Sequence, residues 1–481
     1  MKISKENQEK ECSSKKDRRS FLKRSSLLLA SASIGQRSIS PFALSERSSD
    51  KPITIRKVDS QFEREQLRRP FGFKGGHITG VWQPVAYVES ENEKVGIGLG
   101  TQSVLWCDAR VFAKHSEQGG NALMYAVTER ALQMLDGETI NHPIEWQEQI
   151  LDELHEYAKD ITRQKDLRKT FSLNPLVPVD NALWILYAME NNLTNFDQLI
   201  PERLSGGLSA RHDKVASIPA LGYGTSMDEI RRLAEEEFFI MKIKIGAPGD
   251  QAEMLEKDKN FIKNIHDTIG HYETGHTKDG KIPYYFDANG RYQKKETLHR
   301  FLDYADSIGA LEQIAVIEEP FGEHNSESVL DLCERGVRVA ADESAHTDKD
   351  ALLRIEQGYN AIAVKAVAKT LSMTMKIAQI AYEHQVPCFC ADLTVNPILV
   401  DWNKIVAACL PAFPELDFGL LETNGWQNYR HWDKMSQKHP MAGAPWTKAI
   451  RGVFNTNQDF FEASGGILQI SEYYASLFNK L

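Results

Sequence analysis

Phe239-Ile-Met-Lys-Ile-Lys-Ile-Gly246 is an apolar run broken only by Lys242 and Lys244. The same device returns as Tyr284-Tyr-Phe-Asp-Ala-Asn-Gly290, Val316-Ile-Glu-Glu-Pro320, Val339-Ala-Ala-Asp-Glu-Ser344 and Ala361-Ile-Ala-Val-Lys-Ala366. Each reads as a short buried strand that ends on charge and is followed by a loop and an amphipathic helix. Working outward, strand cores begin near Ile218, Met241, Tyr284, Val316, Val339, Ala361, Val386 and Phe418, about 22 to 43 residues apart. That is the length of a βα unit with variable loops, so residues 215–425 are predicted to form an α/β fold of eight parallel strands closed as a TIM barrel. A doubly wound open sheet is the competing architecture, but no GxGxxG or Walker loop opens a helix, which leaves nucleotide binding without support. His271 to Lys281 reads as a surface insertion. Gly465 to Ile470, in the last segment (426–481), reads as a strand returning to the first domain.

Before the barrel the pattern differs. Ile53 to Val58, Val85 to Val88 and Val95 to Leu99 read as antiparallel strands, and Asn121 to Leu135, Ile144 to Ala158 and Asp180 to Glu190 as helices. Residues 53–200 are therefore expected to form a small α+β domain, joined to the barrel through Arg203 to Lys214.

The strand-end charges carry the chemistry. Lys242 and Lys244, Asp287, Glu318, Asp342 and Lys365 each close an apolar run, and in a barrel those ends converge on the mouth where active sites of this fold lie. Buried ionic groups are costly unless paired, so the series is hard to read as solvated surface. Asp287, Glu318 and Asp342 gathered in one place would repel each other and call for a hard cation; magnesium fits an all-oxygen site, with manganese as the alternative. Lys242 and Lys244, two apart on a strand, both point inward while Ile243 and Ile245 point to the helices. Crowding beside another ammonium and a metal ion lowers a lysine pKa toward that of a working base. Lys365, four strands later, approaches from the opposite side.

The chain has 481 residues, 42% apolar and 26% charged, enough for two or three domains with buried cores. Its six cysteines include no CxxC pair, which argues against structural zinc; Cys388 and Cys390 read as small buried apolar residues. Residues 1–44 hold ten Lys/Arg against four Asp/Glu, and the rest of the chain 47 against 63, a net charge of −16 that disfavours nucleic-acid or anionic-membrane binding. No apolar stretch reaches the length of a membrane span. Asp17-Arg-Arg-Ser-Phe-Leu-Lys23, followed by a weakly apolar run, looks like a twin-arginine export signal read by the export machinery, with periplasmic location as the expectation. A basic tail with no targeting role is the bland reading.

The ordered set KxK, DxN, EEP, DES and a sixth-strand lysine resembles the muconate lactonizing branch of the enolase superfamily, often described with mandelate racemase. The resemblance covers roughly residues 53 to 475, including Asn181-Ala-Leu-Trp184 before the barrel. It implies a modified TIM barrel with an N-terminal α+β capping domain. Asp287, Glu318 and Asp342 would ligate the metal, Lys244 would be the base, Lys242 would tune it and bind a substrate carboxylate, and Lys365 would act from the other face. The proton α to a carboxylate would be removed and the resulting enediolate stabilised by the metal. Asn289 and Glu343 would support the site. Glu422 either hydrogen-bonds the substrate carboxylate or is structural.

Departures from the family narrow the choice. The seventh strand ends Cys388-Phe-Cys-Ala-Asp392 without the histidine of the mandelate racemase branch, and His384 reads as a surface or cap residue. Dipeptide epimerase relatives carry Asp-x-Asp where this chain has Glu422-Thr-Asn424, and Lys369-Thr-Leu-Ser372 replaces the usual Gly-Gly. Arg64 to Gly80, with Arg68, Arg69, Lys74, Phe71, Phe73 and the pair Gly75-Gly76, is either a specificity lid or a solvated loop. Asp392, Asn396 and Asp401 form a second polar cluster near the seventh-strand loop, which either contacts substrate or is structural. Two opposed lysines favour an epimerase or racemase acting on a small carboxylate, ahead of a dehydratase or other lyase and then a cycloisomerase. A non-catalytic carboxylate-binding protein is the other class. A homo-oligomer is expected.

Overall fold

The computed structural model describes residues 51–478 except 74, 75, 224 and 417, so the export-signal segment, Lys74 and Gly75 lie outside the described residues. A four-stranded sheet, ordered β3-β2-β1-β4, opens the chain: β1 (Ile53–Phe73), β2 (Gly76–Ser90), β3 (Val95–Leu99) and β4 (Thr139–Ile140). β1 and β2 are far longer than their apolar bursts suggested. Residues 58–66 of β1 are half-buried or exposed, so hydrophobicity does not announce that extension, whereas the extension of β2 buries Ile78, Val81 and Trp82; pairing joins the two. Helices Ala109–Leu135 (kinked at Ser116), Pro143–Thr162 and Thr170–Glu190 cover the sheet. The last begins ten residues before its expected start at Asp180. Pro175 and Pro178 read as breakers but lie inside a helix that is almost wholly buried, and packing outweighs the ~3 kcal/mol that an interior proline costs.

The second sheet has ten strands, ordered β14-β5-β13-β12-β11-β10-β9-β8-β7-β6. β5 (Lys214–Ile218) continues after Pro219 as β6 (Ala220–Leu221), pairing with β13 (Gly419–Glu422) through its first part and with β7 (Met241–Lys244) through its second. Between them run β8 (Tyr284–Asp287), β9 (Ile314–Glu318), β10 (Arg338–Ala341), β11 (Ala361–Val364) and β12 (Cys388–Cys390), all parallel. The expected eight parallel positions are thus present in order, the first broken at Pro219 because proline cannot donate to a ladder. Inside, alanines at 216, 340, 361 and 363 make room for Tyr285 and Phe389. Cys388 and Cys390 point the other way, buried and free.

The strand expected at Gly465 to Ile470 is absent. Ser464–Gly466 is a short 3₁₀ turn, and Gly465 and Gly466 have φ of +63° and +86°, which no extended strand accommodates. The strand of this region is β14 (Val453–Asn455), which pairs antiparallel with β5 in the barrel. The chain end meets the first domain by side chains instead: the Tyr473 hydroxyl donates to Glu63, and the Phe478 ring lies 5.2 Å from Tyr87.

Candidate active site

The C-terminal ends of β7, β8, β9, β10, β11 and β13 bring the lysines and carboxylates together. On β7, alternation turns Lys242 and Lys244 inward and Ile243 into the helix layer. The Lys242 ammonium sits among three carboxylates, 3.0 Å from Asp287, 3.0 Å from Glu318 and 2.9 Å from Glu422. Lys244 Nζ donates to Asp287 and, at 2.9 Å, to Asn289 Oδ1, and Asn289 in turn donates to Glu343 at 3.3 Å. Across the ring, Lys365 Nζ lies 2.5 Å from Asp342 Oδ2. β7 and β11 are four places apart among eight, so the two sets of lysines face each other.

Burial by itself would raise all three strand-end acids. Asp287, between Lys242 and Lys244, is nevertheless held well below the usual carboxylate range, as is Asp342 by Lys365 and Lys369. Glu318 is pushed up to about 8, because burial and the Asp342 and Glu422 charges outweigh Lys242 and Lys365. Burial would lower Lys242 and Lys365, yet their carboxylates raise both, the reverse of the shift expected for a base. A divalent cation held by the same acids would cancel the charge that favours these ammonium forms.

The donor set suits such a cation. Of the expected ligands Asp287, Glu318 and Asp342, the last two gather with Glu343, each offering an oxygen, all within 4.8 Å of one another, while Asp287 stands outside this group; hard carboxylate oxygens are magnesium's ligands. Asp287 is turned toward the two β7 lysines and shares Lys242 with Glu318, so the Lys242 ammonium stands where the four acids Asp287, Glu318, Asp342 and Glu422 sum their charge.

Four contributors were not singled out in the sequence. Tyr285, two residues before Asp287 and hence on the same face, donates its hydroxyl to Glu318 and lies under Lys242, 5.1 Å from ring centroid to Nζ. Strand alternation was the signal. Lys369 is fully buried and donates to the carbonyls of Asp342, at 2.7 Å, and Ala363, at 3.2 Å, tying β10 to β11; burial lowers its pKa. Trp106 covers Lys365, with Nζ 4.5 Å from its ring centroid. Arg168 fastens Trp106 to the barrel, donating to the Trp106 and Glu343 carbonyls at 3.0 Å each and pairing with Glu323 at 2.5 Å. No local motif marks Trp106 or Arg168. A cavity of about 260 Å³ opens beside this group, lined by Arg168, Asn289, Glu319, Glu323 and Glu343 among others.

The remaining candidates are placed unevenly. Glu422 reaches Lys242 and accepts from the Asp392 amide at 3.0 Å, and burial beside Glu422 pushes Asp392 up to about 7. Asn396 caps helix Pro397–Cys409 and donates to Gln83 at 2.7 Å, whereas Asp401 is elsewhere, paired with Lys404 and, at 3.0 Å, with His439. The expected Asp392-Asn396-Asp401 cluster is therefore split, because Asp401 lies a helical turn beyond the cap. His384 is exposed at the end of helix Leu371–Glu383. Arg68 donates to the Tyr429 carbonyl at 2.9 Å and not to the lysine–carboxylate group, and Phe71 packs with Leu67, Ile78, Leu105 and Tyr429. The described residues of the segment Arg64–Gly80 are not a loop but belong to the paired strands β1 and β2, pinned where Leu67 bridges Tyr429. Of the pair Gly75-Gly76, only Gly76 is described: it is in β2, with a Cβ there 2.8 Å from Leu105 and 2.9 Å from Phe112.

Residues 225–441, less than half of the chain, match the family model described as enolase C-terminal domain-like. A search of curated proteins finds no match. Among solved structures, a dipeptide epimerase from Enterococcus faecalis complexed with Mg and the dipeptide L-Leu-L-Tyr is 17% identical, covering 84% of this chain and 97% of its own, with a TM-score of 0.56. A mandelate racemase/muconate lactonizing protein from Herpetosiphon aurantiacus is 13% identical over 84% of this chain and 96% of its own, with a TM-score of 0.55. An L-talarate dehydratase from Polaromonas, complexed with Mg and L-glucarate, is 16% identical over 79% of this chain and 88% of its own, with a TM-score of 0.55. At these identities the likeness is one of fold: a barrel with an N-terminal α+β domain.

Proposed function

We propose, from the match of residues 225–441 to the enolase C-terminal domain-like family model, that this chain is a magnesium-dependent enzyme of the enolase superfamily that removes the proton α to a carboxylate, as an epimerase or racemase. The observation that carries the reading is the pair of opposed lysines, Lys244 held by Asp287 and Asn289 and Lys365 held by Asp342, with acids between them. Lys244 takes the proton from one face. Lys365, whose contact with Asp342 favours its charged form, delivers one to the other. Lys242 and Glu422 orient the substrate carboxylate, and Trp106 and Arg168 keep water from the Lys365 side. A magnesium ion held by Asp287, Glu318 and Asp342, with Asn289 and Glu343 in support, would stabilise the negative charge that develops on that carboxylate.

A dehydratase or other lyase, and then a cycloisomerase, are the second and third readings of the same constellation. A dipeptide substrate is disfavoured. Where relatives present Asp-x-Asp to an amino group, Glu422 here is spent on Lys242 and the Asn424 side chain donates to Glu422 at 2.9 Å. Residues 1–44 are proposed as a twin-arginine export signal leading to the periplasm, 53–200 as the capping domain, 215–425 as the catalytic barrel and 426–481 as the segment returning to the cap, with the assembly a homo-oligomer.

The test is solvent deuterium exchange. The purified protein with magnesium in heavy water is offered pooled N-acyl amino acids, sugar acids, aromatic hydroxy acids and dipeptides, and mass spectrometry follows them. A gain of one mass unit without a new product supports epimerisation, and loss of water or rearrangement supports the lyase or cycloisomerase readings. Silence from every pool with magnesium bound would favour the binding-protein class.

A further inference from the structure

At the seam between the two domains, away from the lysine–carboxylate group, strand β1 loses register with β2. Gln66 pairs with Gly80 and Phe71 with Ile78, so residues 67–70 stand opposite Thr79 alone. Around this bulge lies a cavity of about 390 Å³ lined by Arg64, Arg68 and Arg69 of β1, Arg430 of the loop after β13, Thr79 and Gln118. It shares no lining residue with the cavity beside Asn289.

Three of the four guanidinium groups are held but barely used. Arg64 stacks over Trp82, its Cζ 4.5 Å from the ring centroid. Arg68 spends one N–H on the Tyr429 carbonyl and Arg430 one on Gln66 Oε1, each at 2.9 Å. A guanidinium carries five such donors in a fork that matches oxyanions. Among the described residues none of the four forms an ion pair. The nearby acids are engaged elsewhere: Glu65, also in the lining, faces Lys438 at 3.8 Å, and Glu117 accepts from Thr79 and Gly80. This concentration of unpaired positive charge runs against residues 45–481, where acids outnumber bases 63 to 47.

We infer that this seam is a binding site for a small polyvalent oxyanion, a phosphate or a polycarboxylate, gripped by paired arginine contacts and separate from the reacting centre. Three of the arginines belong to the N-terminal domain and Arg430 to the segment that follows the barrel, so the bound anion fastens that segment to the N-terminal domain. The inference stands independently of the reaction proposed above.

Inorganic phosphate and citrate, titrated separately into the full chain without magnesium at low ionic strength, test it by calorimetry. Binding of either anion is expected, and which one binds more tightly identifies the source. The pair Arg64→Gln/Arg69→Gln, checked by circular dichroism for native fold, is expected to bind about tenfold or more weakly, the loss of a charge-assisted hydrogen bond. Lys244→Ala is expected to bind as the unaltered protein does, and added salt to weaken all binding. Unchanged affinity in the arginine pair, or loss of binding in Lys244→Ala alone, overturns the site.

Discussion

At the barrel mouth Lys242, Lys365 and Lys369 are 3%, 2% and 0% exposed, and each ammonium rests on carboxylate or carbonyl oxygens supplied by a neighbouring strand. In the β1–β2 hairpin Arg64, Arg68 and Arg69 are exposed and hold no carboxylate among the described residues. The first region has already met the cost of desolvating its charges by compensating them internally, and it is fixed before any ligand arrives. The second keeps its charges in water, where they cost little, and leaves their donors to an incoming group. Removing a partner at the mouth strands a buried charge, whereas removing an arginine from the hairpin strands nothing.

The comparison can be broken most directly at the two opposed lysines. Lys244→Ala and Lys365→Ala are each expected to lower the rate of α-proton exchange by about 10² to 10⁴. Deuterium incorporation at saturating substrate measures this, and unaltered rates in both variants would remove the catalytic reading of the mouth. Next is Lys369→Met, which leaves Asp342 facing Lys365 alone. It is expected to cost about 3–5 kcal/mol of stability, read from the midpoint of urea unfolding.

A pH test follows, at a third place where charge is handled without a cation. Asp180, in helix Thr170–Glu190, accepts from the Leu371 and Ser372 amides at 3.0 and 3.2 Å, and burial pushes its carboxyl up to about 7. A carboxyl raised on folding binds its proton more tightly in the native state, so its contribution to stability falls as pH rises from about 4 to about 7. Asp180→Asn is expected to flatten that slope, and unfolding midpoints at pH 5 and pH 7 for both proteins compare it. The smallest effect belongs to the hairpin: Arg64→Ala should shift stability by no more than about 0.5 kcal/mol. A larger loss by thermal unfolding would mean that the hairpin, like the mouth, depends on its charges to fold.

The same contrast explains what could be read in advance. Lys242, Asp287, Glu318, Asp342, Lys365 and Glu422 each end a run of a few apolar residues, and a parallel strand buried on both faces has that local signature. Tyr285 obeys the same alternation and was legible had its hydroxyl been weighed. Residues Arg64–Gly80 mix charged, glycine and apolar residues without a regular period, so they read as loop, and the contacts that bury Leu67, Ile78 and Val81 come from Leu105, Tyr429 and Met435, far away in the chain. Helix Thr170–Glu190 runs through Pro175 and Pro178, whose local preference its burial overrides. Gly465-Gly466 sits in an apolar context that suggests a strand, yet its left-handed backbone forbids one.

By itself the amino-acid sequence determined the order of the βα units, the face of each strand and the charged residue that closes it, because these follow from periodicities spanning a few residues. Only the tertiary structure decided which charges meet. It set the Lys242 ammonium among three acids, turned Asp287 toward the lysines, brought Trp106 over Lys365 from another domain, and separated Asp401 from Asp392. Contacts of that kind join residues up to hundreds of positions apart, and their sign and strength depend on burial and on partners that no local pattern encodes.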